Sequence, residues 1–98
     1  MTEYREAIRL KPDYALAHYN LGIALRKKGD VDGAIAEYRE VIRLRPDAGN
    51  VHYDLGMELE QKGEGQSALE EYRKAQESDP KDPTIRSAYQ RLRKEISR

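Results

Sequence analysis

The side chains best suited to chemistry are two histidines, His18 and His52, which lie 34 residues apart. Metal binding or proton transfer requires several such groups within a few ångströms of one another. At this spacing we expect them to lie roughly 8–10 Å apart, the distance that separates packed helices. The chain has no cysteine, and its serines have no histidine within reach of a catalytic triad. We therefore predict no catalytic residue, metal site or cofactor, and interpret the histidines as packing residues near Pro12 and Pro46.

The carboxylates do not indicate catalysis either. The pairs Glu37/Glu40 and Glu70/Glu71 are interpreted as solvated helix faces rather than as general acid–base pairs. The segment 63–65, Gly-Glu-Gly, lacks the flanking strand and the Lys-Ser/Thr of a phosphate-binding loop. The sequence thus predicts a protein that is not an enzyme.

Composition narrows the class of protein. The 98 residues include 18 basic and 18 acidic side chains, and Ala, Glu, Lys, Leu and Arg supply 48 of the 98. That composition is typical of helices. No apolar run approaches the roughly 20 residues that span a bilayer, and a net charge near zero disfavours bulk capture of nucleic acid or anionic membrane. We expect a soluble chain, and the lack of cysteine is consistent with either the cytosol or the periplasm, of which we favour the cytosol.

An internal repeat of 34 residues organises the chain. Residues 15–48 match residues 49–82 at 12 of 34 positions, and residues 1–14 match residues 35–48 at 9 of 14. Equivalent residues recur at this spacing: Tyr4, Tyr38 and Tyr72; Pro12, Pro46 and Pro80; Gly22 and Gly56; Gly29 and Gly63; Ala34 and Ala68. Each unit is therefore expected to form the same local structure.

Each unit is predicted to contain two helices joined by a tight turn. Gly29 stands where a helix end favours a left-handed residue, and Asp30 or Asp32 follows as a cap for the second helix. Pro46 ends that helix. Asp82-Pro83 is a typical start for the last helix. The Gly63–Gly65 segment lacks a good cap, which predicts a softer turn in the second unit.

The pattern resembles the tetratricopeptide repeat over essentially the whole chain. The residues that carry the resemblance are His18, Leu21, Gly22, Leu25, Ala34, Tyr38, Val41 and Pro46, and then His52, Leu55, Gly56, Leu59, Ala68, Tyr72, Ala75 and Pro80. Histidine replaces the family's usual tryptophan in both copies. The resemblance implies an all-α fold, a right-handed α-solenoid of antiparallel helix pairs, and a non-catalytic scaffold for protein–protein interaction.

Aligned with this family, the chain divides into four parts. Residues 1–14 match the second helix of a truncated repeat, residues 15–48 and 49–82 are complete repeats, and residues 83–98 form a C-terminal capping helix with a polar outer face. An apolar edge around Ala7, Ile8 and Leu10 predicts self-association, with a homodimer through the N-terminal helix. A structural segment at the end of a longer array is the alternative function.

The resemblance also implies a peptide-binding groove lined by the first helix of each unit. Its predicted residues are Leu16, Tyr19, Asn20, Ile23, Arg26, Lys27, Asn50, Tyr53, Asp54, Met57, Glu60, Gln61, Thr84, Ser87 and Arg91. Their apolar and aromatic strip suits a peptide or partner helix. Family members that clamp acidic C-termini carry lysine and asparagine where this chain has Tyr19 and Ile23, and lysine and arginine where it has Thr84 and Ala88, so that clamp is not expected.

Charge distinguishes this interpretation from an RNA-binding helical repeat. Residues 15–48 carry six basic and five acidic groups, residues 49–82 carry four and nine, and residues 83–98 carry five and one. The acidic middle would repel a phosphate backbone. We therefore expect a protein or peptide partner and no nucleic acid.

Overall fold

The computed structural model describes residues 2–11 and 13–97, which form helices and no strands. The six helices are α1 (Thr2–Leu10), α2 (Ala15–Lys27), α3 (Val31–Leu44), α4 (Gly49–Gln61), α5 (Gly65–Ser78) and α6 (Pro83–Ser97). They form an elongated body with extents of 46 × 25 × 18 Å. The all-α solenoid expected from the sequence is confirmed.

Two equivalent turns join the helices of each pair, α2 to α3 and α4 to α5. Gly29 and Gly63 have φ angles of 85° and 89°, in the left-handed region that favours glycine. In the first turn the Asp30 amide donates to the Leu25 carbonyl at 2.9 Å, and in the second Glu64 donates in the same way to Leu59 at 2.9 Å. These bonds satisfy carbonyls at the helix ends. The chain therefore reverses within three residues, and α3 packs on α2 as α5 packs on α4.

Small residues allow the paired helices to approach closely. A Cβ atom placed on Gly22 would lie 2.7 Å from the ring of Tyr38, and one on Gly56 would lie 2.6 Å from the ring of Tyr72. Both tyrosine rings are buried. The two helices of each repeat therefore cross closely at these glycines, and the tyrosines fill the interface.

Successive pairs share one core, since α3 packs on α4 and α5 on α6, while α1 packs on α2. Its larger members are Leu21, Leu25, Ile35, Tyr38, Val41, Val51, Leu55, Leu59, Tyr72 and Leu92. The first helix contributes no fully buried residue. This stacking places α2, α4 and α6, the first helix of each unit, side by side.

The side-chain caps of the helices lie where the sequence predicts them, and the two complete repeats differ in the cap of their second helix. The Asp30 carboxylate accepts from the Gly33 amide at 2.9 Å, and Asp82 accepts from Thr84 at 2.8 Å. Glu64, at the equivalent position to Asp30, makes no side-chain cap. The outer face of α6, with Arg86, Gln90, Arg93 and Lys94, is exposed.

Candidate binding groove

The two histidines are buried and join the helices of each repeat. His52 Nδ1 lies 2.7 Å from Glu71 Oε1 and its Nε2 lies 2.8 Å from the Pro46 carbonyl oxygen. His18 Nδ1 lies 2.7 Å from Glu37 Oε1. The predicted packing of His52 near Pro46 is confirmed, whereas Pro12 lies outside the described residues.

The interpretation of Glu37 and Glu71 as solvated side chains was wrong. Each carboxylate is held against a buried histidine, and the Glu71 side chain is only 16% exposed. The sequence did carry a signal, because both members of each pair recur at 34 residues. These pairs are contacts between the two helices of each repeat.

Within 2–11 and 13–97, no three His, Cys, Asp or Glu side chains gather as ligands for an ion. None of the helices there is long and apolar enough to cross a bilayer.

The predicted groove residues all keep some solvent exposure, and a cavity of about 600 Å³ brings together those of its C-terminal half. It is lined by Tyr53, Met57, Glu60, Gln61, Tyr72, Thr84, Ser87, Ala88 and Arg91. Met57 is 40% exposed, and the Tyr53 ring packs against that of Tyr72 with centroids 5.7 Å apart. This region offers an accessible apolar surface with polar groups around it.

A second cavity, of about 500 Å³, lies at the N-terminal end of the groove. Leu16 and Tyr19 line it together with Tyr14, Lys11 and Arg45. Leu16 is 53% exposed. The predicted residues Asn20, Ile23, Arg26, Lys27, Asn50 and Asp54 line neither cavity.

A third depression, of about 610 Å³, runs along α6 alone and includes Gln90, Arg93 and Lys94. It shares Ser87 and Arg91 with the C-terminal cavity. Because one helix supplies its whole lining, it has no opposing wall to enclose a ligand. The cavity between α4 and α6 is therefore the better candidate site.

Arg91 is already engaged at the wall of the C-terminal cavity. Its Nη1 and Nη2 atoms lie 2.9 and 2.7 Å from the two oxygens of Glu60, and Glu95 Oε2 lies 3.2 Å from Nη1. The Tyr72 hydroxyl donates to Glu60 at 2.8 Å. The Arg91 guanidinium lowers the pKa of Glu60, while burial and Glu60 raise the pKa of Tyr72. These contacts fix α6 against α4.

A second polar contact joins the two repeats. The Tyr19 hydroxyl donates to Asp54 at 2.8 Å, and the Tyr19 ring lies 6.0 Å from that of Tyr38. Burial, reinforced by Asp54, raises the pKa of Tyr19 to about 12. Burial also raises the pKa of Asp54, against the opposing effects of Tyr19 and Arg26. This contact therefore links the neighbouring first helices, α2 and α4, at the centre of the groove.

Sequence reasoning missed Glu58, which is buried one turn after Asp54 on α4. Its side chain is 3% exposed, and its Oε1 lies 4.0 Å from Arg26 Nε. Burial raises the pKa of Glu58, an effect that Arg26 reduces and Asp54 increases. The available signal was the departure from Ala24, the small residue at the equivalent position of the first unit.

Helix pairs stacked at a fixed period, with an open surface along the first helices, define an α-solenoid protein. The kind of repeat follows from sequence comparison. The tetratricopeptide repeat family model matches residues 2–49 and again residues 24–83. The chain therefore belongs to the tetratricopeptide repeat family.

Two solved structures place this fold among known proteins. The first tetratricopeptide domain of Spaghetti (RPAP3), bound to the HSP90 peptide SRMEEVD, superposes with a TM-score of 0.90 at 12% identity, over 97% of this chain and 75% of that one. MamA superposes with a TM-score of 0.76 at 32% identity, over 80% of this chain and 46% of MamA. No curated protein matches the sequence significantly.

Proposed function

We propose that the chain is a non-catalytic protein-interaction module that binds a peptide or partner helix in the groove formed by α2, α4 and α6. The observation that carries this proposal is the cavity of about 600 Å³ between α4 and α6, where Met57 and Tyr53 remain accessible. Methionine adapts to varied apolar surfaces, and tyrosine combines contact area with a hydrogen-bonding group. The peptide bound to the RPAP3 domain supports the same use of the fold here.

A random phage-displayed library of 12-residue peptides tests the proposal, because it presents many ligand sequences to the groove at once. Peptides selected on the chain would be synthesised and titrated calorimetrically against the wild type, Tyr53→Ala and Met57→Ala. We expect each variant to weaken binding roughly tenfold, as for an apolar anchor at the centre of an interface. Circular dichroism should show unchanged helicity.

Leu10→Ala is the matched control, because Leu10 is 70% exposed and lies on α1, outside the groove. It removes a comparable apolar side chain and should leave peptide affinity unchanged. Failure to select any peptide would overturn the proposal. Equal binding by the wild type and both groove variants would do the same.

A second candidate is structural self-association through the N-terminal edge. Its support is Leu10, which is 70% exposed, whereas Ala7 and Ile8 of the same predicted edge are partly buried and Ile8 packs against the core. Sedimentation equilibrium should then reveal a concentration-dependent dimer that Leu10→Glu abolishes. A monomer mass at every concentration contradicts this candidate and leaves groove binding unaffected.

A further inference from the structure

Glu58 has a buried carboxylate with few partners for its charge and its oxygens. Its Oε2 atom is buried and has no hydrogen-bond partner among residues 2–11 and 13–97. Its Oε1 has an ionic contact with Arg26 at 4.0 Å, longer than a hydrogen bond. A buried carboxylate normally has a paired charge and satisfied oxygens. Within the described part of the chain, Glu58 Oε2 therefore lacks the hydrogen-bond donor that a buried carboxylate oxygen normally has.

The surroundings of Glu58 are anionic and aromatic. Asp54 precedes Glu58 by one helical turn and accepts a hydrogen bond from Tyr19. Arg26 is the nearby positive charge for both carboxylates. The three groups together carry a net charge of −1 when both carboxylates are ionised. The Tyr38 hydroxyl is also buried without a hydrogen-bond partner among the described residues. We name Tyr19, Arg26, Tyr38, Asp54 and Glu58 the inter-repeat cluster.

These features favour a cation over an anion. Carboxylates bind ammonium and guanidinium groups through charge-assisted hydrogen bonds, and tyrosine rings attract cations at their faces. An acidic ligand would meet the excess negative charge of the cluster. At the neighbouring cavity it would also have to compete with Glu60 and Glu95 for Arg91. The charge of the inter-repeat cluster is therefore complementary to a basic side chain.

Arg26 is the exposed member of the inter-repeat cluster and lies beside the buried Glu58. The Arg26 side chain is 43% exposed and has a 4.0 Å contact with Glu58 in place of a short hydrogen bond. Tyr19 and Asp54, on the adjacent first helices, are half-buried and so reach the surface. A flexible side chain of a bound peptide could displace the Arg26 guanidinium outward and approach Glu58.

We propose that the inter-repeat cluster receives a lysine or arginine side chain of the peptide that occupies the groove, with Glu58 as its counter-ion. The incoming cation takes the place of the Arg26 guanidinium beside Glu58 and supplies the hydrogen bond that Glu58 Oε2 lacks. This inference rests on the proposed function and specifies its ligand as a peptide with apolar residues flanking a basic one.

The peptides selected from the phage library test this directly. We expect a lysine or arginine at a fixed position in the selected sequences. One such peptide would be titrated in two forms, with the basic residue and with norleucine in its place, against the wild type and Glu58→Gln. Each single change should weaken binding roughly tenfold. Combining both changes should cause little further loss, because the two groups act as one pair.

Glu64→Gln is the matched control, since Glu64 is exposed at the turn after α4 and should leave affinity unchanged. Asp54→Asn provides a second variant, retaining an oxygen to accept from Tyr19 while removing a charge, and should weaken the basic peptide several-fold. Circular dichroism verifies that each variant is folded.

The outcomes separate the two proposals. This inference is overturned, and groove binding stays intact, if the selected peptides bind the groove but lack a basic residue. The same holds if the losses of affinity caused by norleucine and by Glu58→Gln are additive. A library that yields no peptide overturns the proposed function and this inference with it.

Discussion

His52 and Glu71 form a hydrogen bond of 2.7 Å between Nδ1 and Oε1 that closes the second repeat across α4 and α5. The other ring nitrogen, Nε2, lies 2.8 Å from the Pro46 carbonyl oxygen. The pair His18–Glu37 repeats the contact at 2.7 Å in the first unit. Where most family members bury an indole, this chain buries a polar bond, which restricts how the two helices pack.

Removing the Glu71 carboxylate should destabilise the fold. Glu71→Ala leaves the buried Nδ1 of His52 without its carboxylate partner, and such a loss costs about 1–3 kcal/mol of unfolding free energy. Glu70→Ala is a neighbouring control on the same helix, because Glu70 is half exposed and pairs with Arg73 at the surface. That change should cost less than about 1 kcal/mol. Urea denaturation measures both, and equal losses would contradict the role given to the His52 pair.

Replacing Gly56 and Gly65 by alanine should change the stability of the protein in opposite directions. At Gly56 the added methyl group meets the buried Tyr72 ring at 2.6 Å, and overpacking of this kind costs about 1–3 kcal/mol despite the better helix propensity of alanine. At Gly65, the first residue of α5, the nearest atom is Cδ1 of Ile96 at 3.6 Å, an ordinary contact. There alanine should stabilise by about 0.4–1 kcal/mol. Thermal unfolding of the two variants checks the sign of each change, and a stabilised Gly56→Ala would refute the close-crossing explanation.

The fold was predictable because its determinants are local and repeated. Gly29, Asp82 and the 34-residue period act within a few residues of themselves, and the structure places turns and caps where they indicate. The polar interior was less predictable. Glu58 resembles any surface glutamate along its own helix, and its burial results from the way α4 meets the preceding pair. Contacts between helices determine such an environment, and one helix considered alone does not contain that information.

The turn before α5 should exchange its amide protons faster than the turn before α3. The Asp30 carboxylate caps α3 through the Gly33 amide at 2.9 Å, whereas Glu64 makes no such bond and is followed by Gly65. A missing side-chain cap costs a helix about 1 kcal/mol, so opening at the second turn requires less free energy. Hydrogen exchange measured by NMR compares the two turns.

Glu64→Asp is the complementary variant, since aspartate is a favourable cap at this position. It should slow exchange at the start of α5 and leave the turn at Asp30 unchanged. Slower exchange around Gly65 than around Asp30 in the wild type would contradict the prediction.

Two carboxylates on α4 should contribute to stability with opposite dependence on pH. Burial raises the pKa of Glu58, so the folded state binds its proton more tightly than the unfolded state does. Stability from this group is consequently greatest below the unfolded pKa of about 4.3 and falls as pH rises through the folded pKa. Glu58→Gln removes the buried charge and should stabilise the protein at pH 7 by about 1 kcal/mol. That gain should disappear near pH 4.

Glu60, two residues further along, supplies the contrast. Arg91 lowers its pKa, so its contribution to stability is present above the unfolded pKa and is lost as pH falls through the folded value. Glu60→Gln should therefore destabilise the protein at pH 7, by about 1 kcal/mol for a partly exposed ion pair, and the loss should vanish in acid. Urea unfolding of the wild type and both variants from about pH 2 to pH 7 resolves the two trends, because the Glu60 contribution is lost below its unfolded pKa of about 4.3. Parallel pH profiles would contradict the separation of these carboxylates into one that burial disfavours and one that Arg91 stabilises.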